Sequence, residues 1–266
     1  VPTRRLFVPS LTPGRVVVDA DEAHHARNVL RLEVGATVEL FDATGQAASA
    51  RVTSVEPQFA CEVTEVRRAS PRVQVHVASA VPKGDRADWM VEKLSELGVT
   101  SWTPLRTARS VVHPSGTGKL DRWKRIAVES AKQSRRAGVM EVRELADSGN
   151  LVFGQAFVLS TREGSKALGA MIEAEDREGE APAEPMRMRE SEASVVAHPH
   201  GSAGASPSHQ ITLLIGPEGG WTDEELSSFA SRGVVEASLT DTILRIETAA
   251  VVAAAIVVTR LSEDPS

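Results

Sequence analysis

The sequence predicts an α/β protein in two parts: a small β-barrel over residues 1–71, then a mostly parallel sheet with helices on both faces over residues 72–266. Three observations predict it. Short runs with apolar residues at alternate positions fill the first part. From Arg72 onward, strand-like runs alternate with longer runs of helical period. Late in the chain, two apolar runs at 213–220 and 243–250 each stop at a turn of small or charged residues and lead into a helix-like stretch.

In the first part the expected strands are Arg5–Pro9, Arg15–Asp19, Thr37–Asp42, Ala47–Val55 and Ala60–Val66. Val38, Leu40 and Val52 alternate with polar or small neighbours, the period of a half-buried strand. Asp42-Ala43-Thr44-Gly45 reads as a hairpin turn. One helix, Glu22–Leu30, interrupts the strands; Val29, Leu30 and Leu32 point inward while Arg27 and Arg31 face out. Ser70-Pro71 marks the boundary.

Beyond it, strands are expected at Val73–Val81, Ser101–Arg106, Ala156–Ser160, Ile211–Ile215 and Val234–Leu239. Helices are expected at Asp85–Leu97, Leu120–Arg136, Thr222–Ala230 and Glu247–Leu261. Met90, Leu94 and Leu97 share a face of the first, and Gly98 is its stop signal. Thr222, three residues before Glu225, opens the third with a capping box. The last helix is apolar all round from Ala249 to Val258, so it must be buried on more than one side. Residues 176–209 are dominated by Glu, Pro, Ala, Ser, Gly and His without periodicity. They read as a disordered surface insertion, too poor in apolar area to offset its ordering entropy.

Composition narrows the function classes. Cys61 is the sole cysteine, so no internal disulfide forms, and it reads as a small buried side chain on a strand. No apolar run approaches the roughly 20 residues of a membrane span, and the N-terminal run is too short for a signal peptide. A soluble, cytoplasmic protein is expected. His198, His200 and His209 fall in the insertion with Pro199 between the first two, and no metal is expected. The net charge of -6 argues mildly against RNA binding, but the charge is unevenly spread. Lys119 to Arg136 holds seven basic residues against two acidic ones, whereas Glu173 to Glu192 holds eight acids against three arginines.

The late pair of segments carries the chemistry. Leu213-Leu214-Ile215-Gly216-Pro217-Glu218-Gly219-Gly220 lacks the Lys of a phosphate-binding P-loop and comes too late for a dinucleotide fingerprint. With Ile243-Leu244-Arg245-Ile246-Glu247-Thr248-Ala249-Ala250 it resembles the 16S rRNA (uracil-N3)-methyltransferases of the SPOUT superfamily. Arg5-Leu6-Phe7-Val8, His24-His25-Ala26-Arg27-Asn28-Val29-Leu30-Arg31, Glu92-Lys93-Leu94-Ser95-Glu96-Leu97-Gly98-Val99 and Lys132-Gln133-Ser134-Arg135-Arg136 match in the same order. The resemblance runs from about residue 4 to about 260, interrupted at 176–209. Two positions depart from the family pattern: Thr240 stands where a Gly is usual, and Ile246 where Thr or Ala is usual.

The resemblance implies a PUA-like RNA-binding barrel, a SPOUT-type sheet with a C-terminal trefoil knot, and S-adenosyl-L-methionine as cofactor. Carried onto this chain, the cofactor residues are Leu159, Ser160, Ile215, Gly216, Pro217, Glu218, Gly219, Gly220, Leu239, Ile243, Leu244 and Thr248. Arg245 is the expected catalytic cation, stabilising the anion that develops on a uracil ring, and Glu247 is expected to orient it or the base. Both could instead be a surface pair at the start of the last helix, where Glu247 is favoured by the dipole. Glu218 is a second carboxylate candidate. RNA contacts are expected from His25, Arg27 and Arg31, and from a stripe of Arg122, Arg125, Lys132 and Arg136; a solvated helix face and a structural His25 are the bland alternatives. The family also implies a homodimer through the last helix and the knot, acting on 16S rRNA in the small ribosomal subunit. Two other functions stay open: a non-catalytic RNA-binding protein of this fold, and a SPOUT methyltransferase with a different RNA target.

Overall fold

The structure, a computed structural model, describes residues 3–68, 73–112, 117–162, 164–179 and 209–262. The N-terminal unit comprises β1 (Arg4–Phe7), β2 (Gly14–Val17), α1 (Ala20–His24), β3 (Thr37–Phe41), β4 (Gln46–Ser54), β5 (Ala60–Val63) and β6 (Arg67–Arg68). They form one sheet in the order β1-β3-β4-β5-β2, with β6 beside β4. Only β1 and β3 run parallel; the rest are antiparallel. The end strands β1 and β2 do not pair with each other among the described residues. The alternation read from sequence is real: Val38, Leu40, Val52 and Cys61 are all buried in one cluster. Burial pushes the Cys61 thiol up to about 11, which leaves it inert.

The expected hairpin turn between β3 and β4 is held by Asp42. Its Oδ1 accepts from Thr44 N at 2.9 Å and Gln46 N at 3.0 Å, and Gly45 supplies a φ of 88°. The helix differs from expectation. After His24 it widens into a π turn over His25–Val29. That shift of phase buries Ala23 and Ala26 and leaves Val29 64% exposed, outward rather than inward.

The second unit comprises β7 (Val73–Ala80), α2 (Arg86–Glu96), β8 (Ser101–Arg106), α3 (Thr117–Ser134), β9 (Glu141–Val142), β10 (Ala146–Asp147), β11 (Gln155–Leu159), β12 (Lys166–Ala167), α4 (Leu168–Gly179), β13 (His209–Ile215), α5 (Asp223–Ser231), β14 (Val235–Ser238) and α6 (Ile246–Ser262). The strand order is β10-β8-β7-β13-β11-β14-β12, with β9 beside β8, and every pairing is parallel. Both faces are covered, as a parallel sheet requires. Leu213 and Ile215 of β13 pack with α2, α3, α4 and α6 residues, while Leu214 between them packs with Leu226 and Phe229 of α5. The capping box of α5 is present, with Thr222 and Glu225 bonded reciprocally.

α4 was not expected. Leu168 and Ile172, one turn apart, are both fully buried and anchor it. It takes residues 176–179 from the anticipated insertion, and β13 begins at His209 rather than Ile211. The remainder of that insertion, 180–208, lies outside the described residues. α6 buries Ala250, Ala253, Ala254 and Val257 completely.

The two units meet at the end of α3. Arg5 Nη1 donates to Ala131 O at 2.8 Å, and Arg135 Nη2 donates to Thr3 O at 3.0 Å. Lys132 pairs with the buried Glu22 and, at 2.8 Å, with Glu129. Gly138, at a φ of +77°, lies so close that an added Cβ would sit 3.1 Å from Ala43 O.

A polar chain, buried at His76 and Ser101 and exposed at Gln210, runs across three strands of the sheet. His76 Nδ1 lies 2.7 Å from Ser101 Oγ, and Gln210 Nε2 lies 3.1 Å from His76 Nε2. Burial and the Arg143 charge hold the His76 pKa below the usual imidazole value. The unfolded chain therefore binds a proton that the fold rejects. Stability is full above the ordinary imidazole pKa and falls as pH drops below it. Urea titrations at about pH 7.5 and 5.5 are expected to record that loss, and to record a smaller one for His76→Asn.

Candidate functional site

β11 stands between β13 and β14, with Leu159 in register with both Ile215 and Ala237. The loops leaving these three strand ends, at 159–162, 215–221 and 239–246, converge on a cleft of about 730 Å³. Arg86, Arg109, Leu226 and Ala249 complete its walls.

The glycine turn is built by close approach. A Cβ on Gly216 would lie 2.9 Å from the Trp221 ring, and Gly220 has a φ of +69°. Trp221 packs edge-on to Phe229 at 5.0 Å, and its Nε1 donates to Leu159 O at 3.1 Å, joining two of the loops. Arg109 Nη1 donates to Gly219 O at 2.8 Å and Trp221 O at 3.3 Å. Glu225 accepts from Ala108 N at 3.0 Å, tying α5 to the same corner.

Four arginines line the cleft against one carboxylate, Glu218. Three of the four are engaged. Arg86 Nη1 lies 3.3 Å from Glu247 Oε1 and 3.7 Å from Glu218 Oε1. Arg109 holds the turn carbonyls, and Arg162 pairs with Asp223. The exposed Arg245 has no side-chain partner among the described residues.

Of the expected cofactor residues, Leu159, Ser160, Ile215, Gly216, Pro217, Glu218, Gly219, Gly220, Leu239, Ile243 and Leu244 all line this one cleft, as does Arg245. Thr248 and Glu247 do not. Helix geometry is the reason. Ile246 and Ala249, three residues apart, face the cleft from α6, so the two residues between them turn away. Glu247 is 6% exposed and pairs with Arg86, so it does not orient Arg245. Thr240 lines the cleft without a positive φ, and its Oγ1 donates to Thr242 O at 2.8 Å. The departure from Gly therefore carries no backbone strain.

The domain model described as an RNA methyltransferase domain matches residues 68–258, and one described as an RNA methyltransferase PUA domain matches residues 18–63. The chain is 31% identical over 253 residues to ribosomal RNA small subunit methyltransferase E of Synechocystis, covering 90% of this chain and 71% of that one. The chain belongs to the ribosomal RNA small subunit methyltransferase E family. The Bacillus subtilis member is 30% identical over 239 residues, covering 87% of this chain and 85% of its own. The crystal structure of the Neisseria gonorrhoeae member bound to S-adenosyl methionine superposes with a TM-score of 0.72 at 25% identity, covering 96% of each chain.

Of the residues expected to contact RNA, two are engaged within the fold. Arg136 lies beyond the end of α3 and donates to Ser95 O at 3.0 Å and Val99 O at 2.9 Å, capping α2; burial pulls its pKa down to about 10. Lys132 is spent on Glu22 and Glu129 at the junction. Arg122 and Arg125 are exposed, the first paired with Asp88. Arg27 lies 3.5 Å from Glu56, His25 is half-buried, and Arg31 is exposed. Among the described residues no group of three or more His, Cys, Asp or Glu could hold a metal ion.

The sequence reading missed Arg86, Arg109 and Trp221. Arg86 follows Pro82-Lys83-Gly84-Asp85, a turn with Gly84 at a φ of 63°, and that punctuation was its one local signal. Arg109 had none. Gly216→Ala is expected to push the Trp221 ring off its seat, costing about 1–3 kcal/mol as an overpacked site does. Tryptophan emission and urea unfolding check it; an unshifted spectrum would show that the ring tolerates the methyl.

Proposed function

We propose that this chain transfers a methyl group from S-adenosyl-L-methionine to N3 of a uridine in the 16S rRNA of the small ribosomal subunit. The observation that carries the reading is the convergence of three loops from adjacent parallel strands on one cleft. Its volume of about 730 Å³ suits a ligand of nucleoside size. Its walls suit the cofactor in kind: Leu159, Ile215, Leu239 and Ile246 are apolar, and Gly216 to Gly220 bring backbone close without side-chain bulk. When bound, the cofactor supplies an electrophilic methyl group. The chain's own task is to orient the reactants, exclude water and hold the charge that appears when uracil loses its N3 proton.

Arg245 is the residue for that charge. It lines the cleft, is exposed to an incoming base, and is the cleft arginine left without an intramolecular partner among the described residues. Arg86 and Arg162 are already offset by carboxylates, and Arg109 is held by backbone carbonyls, so the cleft carries less free positive charge against a sulfonium than its composition suggests. Glu218 is the carboxylate placed to receive the proton. The same reading includes a trefoil knot threading the three loops and closure of the N-terminal sheet into a PUA-like barrel that contacts RNA. Action on ribosomal subunits places the chain in the cytoplasm.

Arg245→Ala is expected to lower methyl transfer to unmodified small subunits by about 10²–10³, the scale of losing one transition-state donor. Its affinity for S-adenosylhomocysteine, read by calorimetry, is expected to stay close to the wild type. Mass mapping of the labelled product identifies the base and atom. Near-normal turnover removes Arg245 from the mechanism, and a wild-type chain without cofactor affinity leaves a non-catalytic RNA-binding protein.

The reading also includes a homodimer. Val251 and Val258, about two turns apart on one side of α6, are only partly buried, and Ile243 at the cleft rim is 85% exposed. A two-fold partner covering this side is the commonest closed arrangement. Light scattering at micromolar concentration is expected to give twice the chain mass; a monomer there removes the dimer.

A further inference from the structure

We propose that Arg86 is a positioning residue of the cleft: it holds the glycine turn and the first turn of α6 at the spacing that admits the cofactor. The proposal rests on the cofactor reading above. Arg86 opens α2, with its Nε donating to Lys83 O at 3.3 Å. A cation in the first turn of a helix opposes the macrodipole, so local propensity does not put it there. Two carboxylates offset it, and they come from different walls. Glu218 rises from the turn after β13, with Oε1 at 3.7 Å from Nη1; Glu247 lies in the first turn of α6, with Oε1 at 3.3 Å from the same nitrogen.

Glu247 makes the tie strong. It is 6% exposed, and its Oε2 has no hydrogen-bond partner. Arg86 is therefore its counter-charge among the described residues. Removing one member of a buried pair leaves an uncompensated charge, which the fold relieves by moving the carboxylate toward water. That movement pulls on the start of α6, which carries Ile246 and Ala249 of the cleft wall. Glu218 would lose its tether at the same time. Arg86 thus couples two walls that share no direct side-chain bond among the described residues.

The test compares Arg86→Gln, Arg86→Lys and the double variant Arg86→Gln/Glu247→Gln with the wild type. Calorimetry with S-adenosylhomocysteine reads the cleft; hydrogen exchange of the ligand-free protein reads residues 215–220 and 246–250. Arg86→Gln is expected to weaken binding about tenfold, the size of a coupling between contacting charged groups, and to quicken exchange in both segments while β7 stays protected. Arg86→Lys is expected to stay within about threefold, because a single nitrogen carries both contacts. The double variant is expected to recover to within about threefold, since no buried charge remains.

Binding by Arg86→Gln equal to the wild type overturns the proposal. A double variant as weak as the single one overturns it too, since Arg86 would then act by touching the ligand. Failure of the wild type to bind S-adenosylhomocysteine defeats the cofactor reading instead, and the exchange data still decide whether Arg86 ties the two walls.

Discussion

Strand order determines where ligands can meet this chain. β11 lies between β13 and β14, all three parallel and in step at Leu159, Ile215 and Ala237. Parallelism follows from the sequence of these strands. Leu213, Leu214 and Ile215 are apolar in succession, so both faces of β13 need cover, and helices on both faces require crossover connections. Once the strands run the same way, their C-terminal ends open on one edge, where α/β sheets bind ligands. The three loops then share one space whatever their sequences. Their residues decide only what that space accepts.

Convergence alone gives a loose mouth, and cross-ties make it a shaped one. Trp221 bonds the end of β11, Arg109 holds the carbonyls of the glycine turn, and Glu225 reaches Ala108 while it caps α5. Each tie spans loops that are distant in sequence, so each restrains the cleft far more than a local turn could. The same logic holds between the two units. Arg5, Lys132 and Arg135 reach across the junction, and Gly138 lets the backbones approach within the space of a methyl group.

The sequence made the strands, their alternation with helices, the Asp42 turn and the α5 capping box legible, because each is a local pattern with a local cause. Eleven of the twelve residues expected to hold the cofactor line the cleft, since they sit on three contiguous loops. What failed was phase and pairing. The resemblance carries Thr248 into the cofactor set and the run of sequence puts Glu247 beside Arg245, yet a helix turns about 100° per residue and carries both out of the cleft wall. Val29 was misplaced by a π turn that no residue type announces. Arg86 and Arg109 come from a different part of the chain, and only tertiary folding brings them to the cleft.

The basic stretch from Lys119 to Arg136 teaches the same point about charge. Counted along the chain it looks like a surface for phosphates. In space its last basic residues are engaged within the fold: Lys132 neutralises a buried glutamate, the exposed Arg135 bridges to the N-terminal unit, and Arg136 caps α2. Lys132 and Arg136, spent in this way, are not free to release counterions from RNA, whereas Arg122 and Arg125 stay at the surface. The cleft inverts the pattern, since three of its arginines are likewise engaged within the fold while Arg245 is left open. On the function proposed above, an arginine left unpaired at the mouth of the cleft is where an anionic substrate would gain by binding. On that same proposal, electrostatic selection of the substrate and stabilisation of charge on its base would fall to that one residue.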